Sequence, residues 1–229
     1  MVVSFEYDES VFINCPFDRD YRPLFEAIVF TVFACGFRPR CALETDDGGQ
    51  VRMERIFGLI EDSKLAINDL CRVDLDSSTN LPRFNMPLEL GIFLGACRFG
   101  YGRQRDKRCL IMDRDRYRYR AFISDIAGQD LRDHGDDPIR AIQIVRDWLR
   151  SQSQSSKMPG GAVIAERYRA FRAELSELCR EARLEEENLI WAEYTEFVWS
   201  WLKLDTQPAW TSGLQSLGQA VPLSGTALP

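Results

Sequence analysis

The chain has 229 residues, of which 45% are hydrophobic and 28% charged, and its net charge is −6. That length and composition suit one sizeable globular domain with an appendage and enough apolar residues to bury a real core. The acidic balance argues against nucleic acid or an anionic membrane as a partner, and no stretch approaches the roughly 20 apolar residues that a bilayer span needs.

In chain order, Val11–Asn14 is a short apolar run ended by Cys15-Pro16-Phe17-Asp18, a buried strand and its turn. Apolar residues at 21, 24, 25, 28, 29, 32 and 33 predict a helix closed by Gly36. Phe37–Leu43 reads as a second strand, followed by the polar loop Glu44–Gly49 and a helix over Val51–Ile60. Lys64–Leu70 is a third strand, a polar linker runs from Asp74 to Asn80, and Arg108–Met112 is a fourth strand ending at Asp113. Pro138–Leu149 is an amphipathic helix. Alternating strands and helices predict a doubly wound, flavodoxin-like α/β domain over residues 1–150, with a parallel sheet of about four to five strands. Residues 151–164 read as a linker, 165–205 as a C-terminal helical hairpin, and 206–229 as a flexible Pro/Gly/Ser-rich tail.

The ligand crevice of such a sheet lies beyond the carboxyl ends of its strands. The stretch Leu81–Ala96 enters it as a loop and then a helix, with Asn85 as N-cap, Pro87 at the first helical position and Glu89 in the first turn. Its apolar residues suggest burial nearly all round, and Gly91 and Gly95 allow close packing against a neighbour. A carboxylate in such company either compensates the helix dipole and pairs with an arginine, or faces the crevice to do chemistry. The chain has one histidine, His134, in a polar turn that reads as surface, so chemistry rests on carboxylates. Seven scattered cysteines without C-x-x-C spacing read as reduced and mostly buried.

The Glu89-Leu90-Gly91 motif with Gly95 in the next turn resembles the glutamate-bearing helix of the nucleoside 2-deoxyribosyltransferase family, with Asp69 matching its strand-end aspartate. The element order, from Phe12-Ile13-Asn14 through the strand ending in Asp69 to the helix bearing Glu89, also resembles TIR domains. The resemblance implies Glu89 and Asp69 as catalytic residues and cleavage of an N-glycosidic bond. TIR domains are known both as NAD-cleaving enzymes and as signalling adaptors, and bacterial relatives of both families often serve as antiphage defence effectors switched on by assembly.

Around the crevice, Asn14, Cys15, Pro16, Phe17, Asp18 and Tyr21 are candidate substrate-binding residues, as are Glu44, Arg52, Asn85 and Met86. For the first group the alternative is a plain strand-end turn, for Glu44 a solvated loop, and for Arg52 a surface charge. The basic run from Arg103 to Arg120 could contact a nucleotide or form a solvated rim. The C-terminal tryptophans could fill a hairpin core or anchor an interface.

The expected function is therefore N-glycosidic cleavage or ribosyl transfer on NAD or a nucleotide. Neither cofactor nor metal is required, because the nucleotide is the substrate. The alternative is a non-catalytic nucleotide-sensing or signalling adaptor that assembles through its C-terminal helices. Expected partners are a small-molecule nucleotide and a homo-oligomer or defence-system protein, with no membrane. The N-terminal stretch lacks the basic and apolar regions of a secretory signal, so the cytoplasm is the expected location.

Overall fold

The computed structural model describes residues 6–73, 80–153 and 157–205. The predicted flexible tail, most of the Asp74–Asn80 linker and the middle of the 151–164 linker lie outside the described residues. Five strands, β1 (Ser10–Asn14), β2 (Arg38–Arg40), β3 (Leu65–Asp69), β4 (Arg108–Asp113) and β5 (Arg132–Asp133), form one sheet in the order β2-β1-β3-β4-β5. All neighbours are parallel, with Asn14 opposite Asn68 and Asp69 opposite Met112. The fold is the doubly wound, flavodoxin-like α/β arrangement expected from the alternation of elements. Every residue of β1 and β3 is buried, which is why these segments are apolar without alternation. Strand β2 is shorter than the predicted Phe37–Leu43 run and contains Pro39; lacking an N–H, proline suits this edge position.

Six α-helices lie among the described residues: α1 (Arg22–Ala34), α2 (Arg52–Glu61), α3 (Asn85–Phe99) and α4 (Pro138–Gln152) on the two faces of the sheet, and α5 (Gly161–Ala182) and α6 (Trp191–Asp205) outside α1. Val11, Ile13, Leu65, Ile67 and Met112 point to the face carrying α1 and α4, while Phe12 and Ala66 meet α2 and α3. Leu24 to Val32 of α1 are all buried, because α5 and α6 close its outer side. Phe30 packs against Tyr168, Phe171 and Trp201 with ring centroids 5.4 to 6.1 Å apart, and Phe25 meets Trp191 at 5.7 Å. The hairpin thus shares the core of the α/β domain, with Trp191 and Trp201 packed against it.

A buried ionic network fastens the same contact. Glu26 of α1 accepts from Arg22 Nε at 2.7 Å and from Arg172 Nη1 at 2.8 Å, while Arg172 Nη2 reaches Glu186 at 2.7 Å. Tyr194 donates to the Glu26 carbonyl at 2.9 Å. Both Glu26 oxygens are paired, which is the condition under which a buried carboxylate is tolerated.

Helix α3 departs from expectation in two ways. It begins at Asn85 after Phe84, and its first helical bond runs from Leu88 N–H to the Phe84 carbonyl. Pro87 is therefore the third helical residue, where no N–H is needed, and Glu89 falls in the second turn rather than the first. The helix is also not buried all round: Leu88 is 55% exposed, Gly91 is exposed, and a Cβ at Gly91 or Gly95 would meet nothing within 4 Å. These glycines admit no neighbour from the described chain.

Because the hairpin completes the core around α1, a chain ending at residue 160 is expected to lose cooperative thermal unfolding and to bind a hydrophobic dye at neutral pH. A cooperatively melting 1–160 fragment would show the hairpin to be a separate appendage. Phe171→Ala is expected to cost about 3–5 kcal/mol in denaturant unfolding of the full chain.

Candidate active site at the strand ends

In a sheet of this order the switch point lies between β1 and β3, whose connections leave towards opposite faces. Two buried carboxylates, Asp69 and Glu89, stand near it, and their surroundings differ in hydrogen-bond supply.

Asp69 ends β3 on the α1 and α4 side, with 0% exposure. Its Oδ2 accepts from the Tyr21 hydroxyl at 2.6 Å, and its Oδ1 from the Cys71 N–H at 2.9 Å. His134 Nε2 lies 3.0 Å from Oδ2, off the line of an ideal hydrogen bond. Burial opposes the Asp69 charge, but these donors outweigh it and hold the carboxyl below its ordinary range. His134 is thus fully buried, not on the surface as its polar neighbours suggested. The turn Gly135-Asp136-Asp137 faces solvent while the imidazole points inward to Asp69.

The Asp136 N–H donates to His134 Nδ1 at 3.1 Å, which puts the proton of the neutral ring on Nε2, towards Asp69. Asp69, Cys71 and His134 offer donor atoms within 4.8 Å of one another, a spacing compatible with a metal ion. The tautomer argues against that use. Ligation through Nε2 would move the proton to Nδ1 and set it against the Asp136 N–H, whereas a ligating histidine donates its other N–H to an acceptor.

Glu89 lies on the other face. It is 6% exposed, accepts no hydrogen bond and forms no ion pair among the described residues. Desolvation raises its pKa to about 7, against a smaller opposing influence from Arg52, which is exposed at the start of α2. The neighbouring framework is fixed. Asn14 Nδ2 donates to the Met86 carbonyl at 2.9 Å and to Asn68 Oδ1 at 3.0 Å, tying the first turn of α3 to both strand ends. Asn68, which sequence reasoning passed over, keeps a buried Nδ2 without an acceptor. Its place opposite Asn14 in the register was the available signal.

The other predicted residues divide. Asn14, Cys15, Pro16, Tyr21 and Met86 are buried, and the side chains of Asn14 and Tyr21 are occupied in holding Met86 and Asp69. Burial pushes the Cys15 and Tyr21 pKa values well up, so both stay protonated. Glu44 folds back onto Arg40 at 2.7 Å and the Cys41 N–H, away from the role of ligand. Phe17, Arg52 and Asn85 are exposed, and Asp18 is partly buried, its Oδ1 capping the Tyr21 N–H at 3.0 Å. The structure therefore brings Asn14, Met86 and Glu89 to one face and leaves Asp69 and Tyr21 on the other. A cleft of about 660 Å³ opens beside the site, between Phe17, Asp18 and Leu43 on one side and Arg172 and Trp191 on the other; Glu89 does not line it. The basic run is largely engaged locally: Arg103 pairs with Asp62, Arg114 with Asp115 and Arg118 with Asp113, while buried Lys107 donates to the Ile60 and Ser63 carbonyls.

All seven cysteines are free, four of them buried, and no helix among the described residues is long and apolar enough to cross a membrane. Compared with known proteins, the chain matches no family model, no curated protein and no solved structure.

The Glu89 environment has a stability consequence. Its folded pKa of about 7 exceeds the ordinary value of 4.5, so the folded state holds the extra proton between those values. Stability from this group is therefore expected to rise as pH falls from about 7 towards 4.5, by up to about 3 kcal/mol. Glu89→Gln should remove that dependence and stabilise the protein at pH 8, measured by urea unfolding at both pH values; an unchanged pH profile would contradict the assigned environment. Tyr21→Phe, by contrast, is expected to cost about 1–3 kcal/mol near neutral pH, because it withdraws a donor from buried Asp69.

Proposed function

We propose that this chain cleaves the N-glycosidic bond of NAD or another nucleotide, with Glu89 as the essential carboxylate. The observation that carries this reading is a largely buried carboxylate with no partner among the described residues, in the helix after the third strand of a doubly wound sheet. Such a group is costly to the fold and is relieved by a positive charge arriving beside it. The resemblance of the Glu89-Leu90-Gly91 helix to that of the deoxyribosyltransferases, and of the element order to TIR domains, points the same way.

In the proposed reaction the C1′–N bond breaks with its electron pair going to the base nitrogen. The ribosyl centre becomes oxocarbenium-like, as in glycoside hydrolysis. Glu89, ionised, stabilises that cation electrostatically or captures it covalently. Water or another acceptor hydroxyl then attacks C1′ and releases a proton. A nicotinamide leaving group begins as a pyridinium and departs neutral, so no general acid is required. Asn14 and Asn68 support the reaction by fixing the first turn of α3. Asp69 is a positioning residue in this reading: it is fully buried, and its oxygens accept from Tyr21 and the Cys71 N–H with His134 lying against them.

The alternative of a non-catalytic adaptor assembled through the C-terminal helices finds less support, since the hairpin's aromatic residues face α1. An antiphage role remains part of the proposal only through the resemblance.

The test is incubation of the chain with NAD and a nucleotide panel, with products identified by mass. Turnover is expected for the native chain, and Glu89→Gln is expected to lower kcat by two to three orders of magnitude while retaining the fold. Because the ionised form is the active one, kcat/KM should rise with pH up to about 7 and level off above it. Undiminished turnover by Glu89→Gln would remove Glu89 from the chemistry.

A further inference from the structure

Most partly buried arginines of this fold are closely paired. Arg22 meets Glu26 at 2.7 Å, Arg40 meets Glu44 at 2.7 Å, Arg118 meets Asp113 at 2.9 Å and Arg172 meets Glu26 at 2.8 Å. Arg72 is different. It follows β3 by three residues at the β1/β3 switch point, and its side chain is 27% exposed. Its nearest carboxylate, Asp18 Oδ1, is 3.9 Å from Nε, too far for a hydrogen bond, and that oxygen already accepts the Tyr21 N–H. Arg72 Nε is buried and has no acceptor among the described residues; Arg55 shares an orphaned Nε, but its Nη1 donates to the Ala42 and Thr45 carbonyls. A guanidinium offers five donors in a rigid plane, so holding one at the crevice with its Nε unsatisfied leaves a fork shaped for an oxyanion.

We propose that Arg72 is a phosphate-recognising residue of the strand-end site, selecting phosphorylated nucleosides over free ones; this rests on the reading that the crevice receives a nucleotide. As the loose contact to Asp18 gives way, the guanidinium turns outward, and its Nε–H, buried in the empty site, and an Nη–H are taken by two phosphate oxygens. Asp18 is then a placeholder that keeps the guanidinium oriented while the site is empty. The chain's net charge of −6 disfavours such a ligand, so a local cation at the mouth of the site favours its entry. Neither Arg72 nor Asp18 touches the reacting atoms in this proposal. Both set specificity.

The experiment measures calorimetric binding of the four common ribonucleosides and their 5′-monophosphates, using Glu89→Gln protein so that no ligand is consumed. At least one monophosphate is expected to bind about tenfold or more tightly than its nucleoside. Adding Arg72→Gln should abolish that preference without changing nucleoside affinity. Arg72→Lys, which keeps the charge but loses the planar fork, should restore part of it. Asp18→Asn, whose amide oxygen can still cap the Tyr21 N–H, should strengthen phosphate binding by freeing Arg72. The proposal is overturned if monophosphates and nucleosides bind alike, if neither binds, or if Arg72→Gln keeps the preference. Failure of the catalytic reading is separable: it shows as unchanged turnover in Glu89→Gln, whatever the binding preference.

Discussion

The structure turns on how many hydrogen-bond donors reach a buried carboxylate. Asp69 has its hydroxyl and backbone donors in place, with an imidazole against the same oxygen, and its charge is stable inside the protein. The donors come from three places: Tyr21 just before α1, Cys71 just after β3, and His134 just before α4. One charge thereby fixes the entry of two helices onto one face of the sheet. Removing it would leave Tyr21 and His134 facing an uncharged gap, which is why such a group belongs to the fold. Glu89, on the opposite face, has no donor among the described residues, and burial drives its pKa to about 7. Two acids at one end of one sheet are pushed in opposite directions by their surroundings, Asp69 towards a stable charge and Glu89 towards the neutral form.

The rest of the architecture serves this difference. Asn14 and Asn68 sit opposite each other in the register, and Asn14 holds the Met86 carbonyl, so the first turn of α3 cannot drift from the strand ends. Behind the sheet, α1 is packed on every side by strands, α4 and the C-terminal hairpin. That packing makes the Tyr21–Asp69 contact rigid, because the helix that Tyr21 leads into has no freedom to tilt. The outer surface of α3, with Leu88 and Gly91 exposed, carries no comparable load from the described chain.

Much of the fold was legible because buried parallel strands and amphipathic helices leave distinct periods. Val11–Asn14 and Lys64–Leu70 were too short and apolar to be anything but central strands, and residues 138–149 carried a clear helical stripe. The two-residue strand Arg132–Asp133 left no such mark, since its residues are polar and it makes only an edge pairing. The helix-bearing stretch around Glu89 was found, but its start was misplaced: Pro87 suggests a first position, yet it is equally compatible with the third. His134 was misread because its neighbours are charged, and a single inward-pointing ring in a polar turn has no sequence period. That Asp69 and Glu89 emerge on opposite faces of the sheet was hidden for a related reason. A strand end marks a location in the crevice, but the face on which a side chain emerges depends on register, which only the three-dimensional arrangement of β1 and β3 reveals.

Glu89 is held in a largely buried site without a partner among the described residues, and direct titration of its side-chain carboxyl by carbon-13 NMR tests this most closely. The account gives a midpoint of about 7 for Glu89 in the empty protein, with Asp69 still ionised far below that. A Glu89 midpoint at the ordinary value of 4.5 would contradict it, since a carboxylate at ease in its surroundings has no need of an arriving cation.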